Sequence, residues 1–230
     1  MGPHTIFNVI LLGGLTLLSF IVQSSLKKKM DKYQKIAVGD GSLTGAQIAE
    51  KMLHDNGITD VKVQQTNGYL SDHYDPQKKV VNLSSEIYEG NNIAAAAVAA
   101  HECGHAIQDK EGYSFFKIRS ALVPVVNFIS YLGYFGLIVS LIGGLTGYVK
   151  LSILILFATV LFQLVTLPVE FNASSRGKKE LDTLNLSYDN DKQGISKVLS
   201  AAAMTYVAGL LSSLLQLLRL IIILGNRDRD

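Results

Sequence analysis

Apolar positions gather in four long runs that carry no charged side chain, at residues 5–26, 120–149, 151–169 and 198–218. At about 1.5 Å of helical rise per residue, each run can cross about 30 Å of hydrocarbon. Buried core helices would show the same pattern, but the remaining polar sequence is too short to cover four of them. Four spanning helices are therefore expected. Between the first two runs the pattern changes to helix, strand, strand, helix. Ser42 or Thr44 can cap a helix that runs to His54-Asp55-Asn56 and stops at Gly57. Val61-Lys62-Val63 reads as a strand, Asn67-Gly68 as a tight turn, and residues 78–83 as a second strand. A helix over residues 93–108 follows, capped by Asn91-Asn92 and opening on Ala94-Ala95-Ala96-Ala97, the best helix former available. The expected fold is a mostly α membrane protein with four transmembrane helices and a small cytosolic α+β insert. Its segments are an anchor at 1–26, the insert at 27–119, a transmembrane hairpin at 120–168, a cytosolic segment at 169–197, and the fourth span with its tail at 198–230.

Composition agrees with a membrane protein: 48% of the 230 residues are hydrophobic, and the mean hydropathy is +0.27. Lys27-Lys28-Lys29, Lys32 and Lys35 follow the first run instead of preceding it, so the run reads as a retained anchor and not a cleaved signal. Basic side chains favour the cytoplasmic face, which puts residue 27 onward inside and the amino terminus outside. Lys110, Lys117 and Arg119, and then Arg176, Lys178, Lys179, Lys192 and Lys197, fall on the same side, whereas the turn at 143–149 is uncharged. The tail, Asn226-Arg227-Asp228-Arg229-Asp230, would be external despite its arginines, and Arg219 marks or snorkels from the end of the last run. An integral protein of a bacterial cell membrane, with both termini outside, is the expected location. A net charge of +2 without a basic face argues against a nucleic-acid partner, and the single cysteine excludes an internal disulfide.

The chemistry concentrates at His101-Glu102-Cys103-Gly104-His105. Residues four apart on a helix differ by about 40° in azimuth and about 6 Å in rise, so both imidazoles can close on one ion. Two histidine nitrogens suit a tetrahedral zinc that keeps room for a third ligand and a water. Glu102 lies about 100° round the helix, beside that ion, while Cys103 points away and Gly104 permits close packing. A metzincin would carry a third histidine at position 111 and a glycine at 108, but Glu111 and Gln108 stand there. Asp109 is about 12 Å in rise from His101, too far to share the ion. The third ligand must come from another helix. Glu170, directly after Leu167-Pro168-Val169 at the end of the third apolar run, is the best candidate; a solvated boundary carboxylate is its other reading.

The order of H-E-C-G-H, two spans and then Glu170-Phe171-Asn172-Ala173 resembles the HtpX-type membrane proteases. It is closer to the smaller neutral zinc metallopeptidase family of YugP type. Asp72-His73-Tyr74-Asp75-Pro76, Val80-Val81-Asn82-Leu83-Ser84, the helix around His101 and Pro168-Val169-Glu170-Phe171-Asn172-Ala173-Ser174 carry that resemblance, which extends over most of the chain. It implies one zinc ion on His101, His105 and Glu170, Glu102 as general base, and hydrolysis of peptide bonds in unfolded or membrane-associated polypeptides. Ser174 stands where HtpX-type enzymes have an aspartate that orients a ligand histidine, so that role is expected to fall elsewhere. His73, Tyr74 and Arg176 are the expected candidates for stabilising an oxyanion, with a polar turn as the other reading of residues 73–76. Val80, Val81, Asn82 and Leu83 form either a sheet edge that takes up a substrate strand or an interior strand. The bilayer and a polypeptide substrate are the expected partners, with an oligomer or a membrane-protein partner left open; the glycines of the spans read as helix-packing surfaces. The competing function is a catalytically silent scaffold stabilised by zinc, which an intact Glu102 disfavours.

Overall fold

Four helices of the computed structural model carry the apolar runs, and they extend well beyond them. The structure describes residues 3–143 and 148–227; most of the expected uncharged turn at 143–149 and the last three residues of the expected tail lie outside these. The elements, in chain order, are α1 (Pro3–Tyr33), α2 (Gly45–Asp55), β1 (Lys62–Thr66), β2 (His73–Asp75), β3 (Val80–Ser84), α3 (Ser85–Tyr88), α4 (Ile93–Lys110), α5 (Ser114–Gly143), α6 (Tyr148–Thr183) and α7 (Asp189–Arg227). Among the described residues, four helical stretches are long and apolar enough to cross a membrane: Phe7–Tyr33, Ser114–Gly133, Leu151–Thr183 and Asp189–Gly225. Residues 169–197, outside the apolar runs, are mostly the continuation of α6 and the start of α7. Arg219, on the last turns of α7, donates from Nε to Oδ1 of Asn8 on α1 at 2.7 Å.

The insert follows its local signals. Thr44 caps α2 in a reciprocal box with Gln47, worth about 1 kcal/mol, and Gly57 leaves the helix at a φ of +64°. The expected two strands are three. His73-Tyr74-Asp75, read as a polar turn, is the short strand β2, because its antiparallel pairing with β3 satisfies a backbone that sequence pattern alone left unassigned. The sheet order is β1-β3-β2, with β1 parallel to β3. Val80, Val81, Asn82 and Leu83 therefore form the central strand and not the edge: four of the five β3 residues are buried, and both flanks are hydrogen-bonded. The free edge nearest α4 belongs to β2.

Helix α4 lies at the centre. Asn92 caps it, with Oδ1 accepting from Ala95 N at 3.0 Å, and the alanines of its first half are all buried. Small side chains let α2, α6, α7 and the sheet approach it on several sides. Met30 and Tyr33 of α1, Met52 of α2, Leu83 of β3 and Leu181 of α6 complete the same core. Asp191 fastens α7 to the loop after α1, accepting from the backbone N–H of both Gly39 and Tyr188 at 2.8 Å.

Candidate metal centre

His101 and His105 stand one turn apart on the face of α4 that meets α6. Their rings pack edge to face with centroids 4.8 Å apart. Two glycines seal the seam between the helices. A Cβ on Gly104 would strike the carbonyl oxygen of Ala173, and one on Gly177 would lie 2.5 Å from the carbonyl oxygen of Ala100. This backbone-to-backbone approach brings Glu170 up to the imidazoles. Its Oε2 is 3.1 Å from His101 Nε2 and 3.7 Å from His105 Nε2. One ligand atom from each of the three residues lies within 4.8 Å of the others.

Glu170 is 2% exposed, and a carboxylate so deeply placed requires compensation. Its Oε1 has no hydrogen-bond partner among the described residues, although Arg119 Nη2 of α5 lies 3.4 Å away. Two imidazole nitrogens and a carboxylate oxygen, converging around a buried oxygen short of partners, fit a zinc-type divalent cation with one position left open. Burial works against the cationic form of His101, but the Glu170 carboxylate and the nearby charge of Glu102 outweigh it and raise its pKa above the ordinary value.

The outer ring nitrogens are also held. His105 Nδ1 lies 3.0 Å from Gln108 Oε1. Gln108 Nε2 in turn donates to Val169 O and Asn172 Oδ1, both at 2.9 Å. With the amide so engaged, His105 Nδ1 carries the hydrogen and Nε2 keeps its lone pair for the centre. His101 Nδ1 lies 3.0 Å from Ser174 Oγ. The partner of this nitrogen, expected elsewhere, is thus Ser174 itself, because a residue four after Glu170 shares its face of α6.

Glu102 is buried beside the centre, with Oε2 accepting the Tyr74 backbone N–H at 3.0 Å. That N–H points away from β3, and Pro76, two residues on, has none. The outer edge of β2 is consequently poor in free donors.

The three expected oxyanion candidates do not converge on the triad. Tyr74 donates its hydroxyl to Asp109 Oδ2 at 2.8 Å; burial, and then that carboxylate, push the phenol pKa well up. His73 is occupied by Ser71 O and Asn82 on the exposed side of β2. Arg176 donates to Asn172 Oδ1 and Glu111 Oε2, each at 2.6 Å, and lies over the Tyr113 ring. Arg119 takes the position near Glu170 instead, and Tyr206 of α7 also reaches toward that carboxylate. In the sequence Arg119 reads as a boundary charge, and Gln108 as the last residue of the helix, where a metzincin would have a glycine. The spacing of Gln108 three residues after His105 was the available signal for its role. Cys103 turns away as expected, its Sγ 3.6 Å from Ala49 O.

Residues 8–225 match the family described as "Putative neutral zinc metallopeptidase". The chain is also 44% identical over 214 residues to "Putative membrane protease YugP" of Bacillus subtilis (strain 168), covering 93% of this chain and 95% of that protein. No solved structure matches.

Proposed function

Since the chain belongs to the neutral zinc metallopeptidase family, we propose that it is a membrane-embedded zinc endopeptidase acting on unfolded or membrane-associated polypeptides. The observation that carries this reading is the meeting of His101, His105 and Glu170 from two helices, with the Glu102 carboxylate fixed next to them by β2. In this reading the three residues hold one zinc ion and Glu102 is the general base. Zinc so held lowers the pKa of a water to about 7 and polarises a carbonyl.

The chain's own groups do the rest. Tyr74 N–H holds Glu102 Oε2, leaving Oε1 to take the proton of the attacking water and later give it to the departing amine. Ser174 and Gln108 keep the imidazole Nε2 atoms aimed at the ion. An extended substrate lies along β2, where Tyr74 offers an outward carbonyl to a peptide N–H. The clustering of lysines and arginines at one end of the spanning helices supports a centre that faces the cytoplasm at the bilayer surface.

Purified wild type and Glu102→Gln, each assayed for bound zinc and for cleavage of an unfolded protein, test the reading. Full zinc in both, with cleavage by wild type alone, is the expected outcome. Equal cleavage by both rejects Glu102 as the base, and zinc without cleavage by wild type supports a silent scaffold. Glu170→Ala must lose zinc; wild-type stoichiometry and affinity would remove Glu170 from the ligand set.

A further inference from the structure

A cavity of about 490 Å³ lies between β2 and the first turns of α5, lined in part by Tyr74, Phe116 and Arg119. Each of these touches a different member of the centre. Tyr74 binds Glu102 through its backbone N–H, the Phe116 ring lies 6.0 Å from that of His105, and Arg119 Nη2 is 3.4 Å from Glu170 Oε1. The cavity thus adjoins the site along one wall, and Arg119 is the cation in that wall.

We propose that Arg119 is a catalytic residue: its guanidinium donates to the carbonyl oxygen of the scissile peptide as that oxygen gains negative charge. This rests on the proteolytic reading above. The three donors expected for that task are committed elsewhere, as their partners show. Arg119 has donors to spare. It makes a single long contact to Glu170, and its Nε is buried without a hydrogen-bond partner among the described residues. Five N–H groups in a rigid fork suit it to bridge a carboxylate and a second oxygen. In the step, the water oxygen bonds to the carbonyl carbon, the C=O π pair withdraws onto the carbonyl oxygen, and the water proton passes to Glu102. The pair then returns, the C–N bond breaks, and Glu102 hands the proton to the leaving nitrogen. Arg119 exchanges no proton at any stage; it lowers the barrier by its charge and its fixed donors.

The test uses the full-length zinc-loaded protein in nanodiscs as wild type, Arg119→Gln and Arg119→Lys. Zinc content, kcat and KM on an unfolded polypeptide, and the Kd values of a phosphonamidate peptide and its uncharged amide analogue are measured. The expected result for Arg119→Gln is wild-type zinc, KM within about threefold, and kcat lower by about 10²–10³-fold. Affinity for the tetrahedral anion should fall by a similar factor while that for the amide holds. Arg119→Lys should recover part of both losses, since it keeps the charge and loses the fork. Wild-type kcat in Arg119→Gln, unchanged phosphonamidate affinity, or a zinc loss parallel to the activity loss overturns the proposal. An active wild type with an unaffected Arg119→Gln sinks only this assignment, whereas an inactive wild type removes the proteolytic reading with it.

Discussion

The seam between α4 and α6 and the wall between β2 and α5 flank the same centre and are built in opposite ways. Along the seam, backbone lies on backbone at Gly104 and Gly177, and both histidines have their outer nitrogens occupied. Along the wall, a three-residue strand faces a cavity, and an arginine nitrogen has no hydrogen-bond partner among the described residues. The difference separates two requirements. Ligands must be pre-set to hold an ion, whereas a substrate must find unfilled space and unspent donors. Damage to the seam should therefore appear first in metal affinity, and damage to the wall first in turnover.

The largest break should come from Gly104→Val. Its branched side chain has nowhere to go but into the Ala173 backbone, so α6 must move and carry Glu170 off the imidazoles. Overpacking costs about 1–3 kcal/mol or more, and the protein should bind zinc poorly even where it still folds. Equilibrium dialysis of the purified variant, with circular dichroism to establish folding, checks this; wild-type zinc affinity would show that the seam tolerates separation.

Gln108→Leu comes next. It leaves His105 Nδ1 without its side-chain partner and takes one donor from Val169 O, while Asn172 Oδ1 keeps Arg176 Nε. A fall of about 10–100-fold in zinc affinity is expected, together with a loss of about 1–3 kcal/mol for the stranded groups. Ser174→Ala removes one hydroxyl from His101, whose side chain is 15% exposed and so has water within reach as a substitute. Its effect on zinc affinity should be about tenfold, the low end of such losses. Competition with a zinc chelator ranks the two, and the reverse order would mean that His101 and not His105 is the tightly steered ligand.

Local and periodic features were legible in the sequence: four helices long and apolar enough to cross a membrane, the Asn92 cap, the Thr44 box, and a helix with His101 and His105 on one face. Glu170 was also legible, because a carboxylate beside an apolar run is costly and has few explanations. Strand order was not. β2 and β3 are joined by a short turn, so either could have been the edge, and the parallel partner β1 is set by tertiary packing that no residue announces. The contacts of Ser174 and Gln108 with the two histidines were not legible for a related reason. Their roles depend on how closely α4 and α6 approach, and that distance is fixed by Gly104 together with Gly177, a residue that reads as nothing more than a glycine in a helix. Arg119 was hidden by its position after Lys110 and Lys117, with which it reads as one more basic residue next to an apolar run.

The smallest expected effect sharpens the contrast most, because Tyr74 belongs to the wall through both its backbone and its side chain. Its N–H holds Glu102, while its hydroxyl donates to Asp109, two turns further along α4. Tyr74→Phe removes only the second bond, and Asp109 keeps Lys79 Nζ at 2.6 Å. The expected cost is about 0.5–1.5 kcal/mol of stability, with zinc content and kcat both at wild-type level. Thermal unfolding and steady-state kinetics on the same preparation measure the two separately. A collapse of kcat with zinc retained would return the phenol to the list of oxyanion donors that the sequence allowed, and would mean that the Asp109 bond is surrendered when substrate enters. Wild-type kcat would leave β2 acting through its backbone alone, with the charge at the wall supplied by α5.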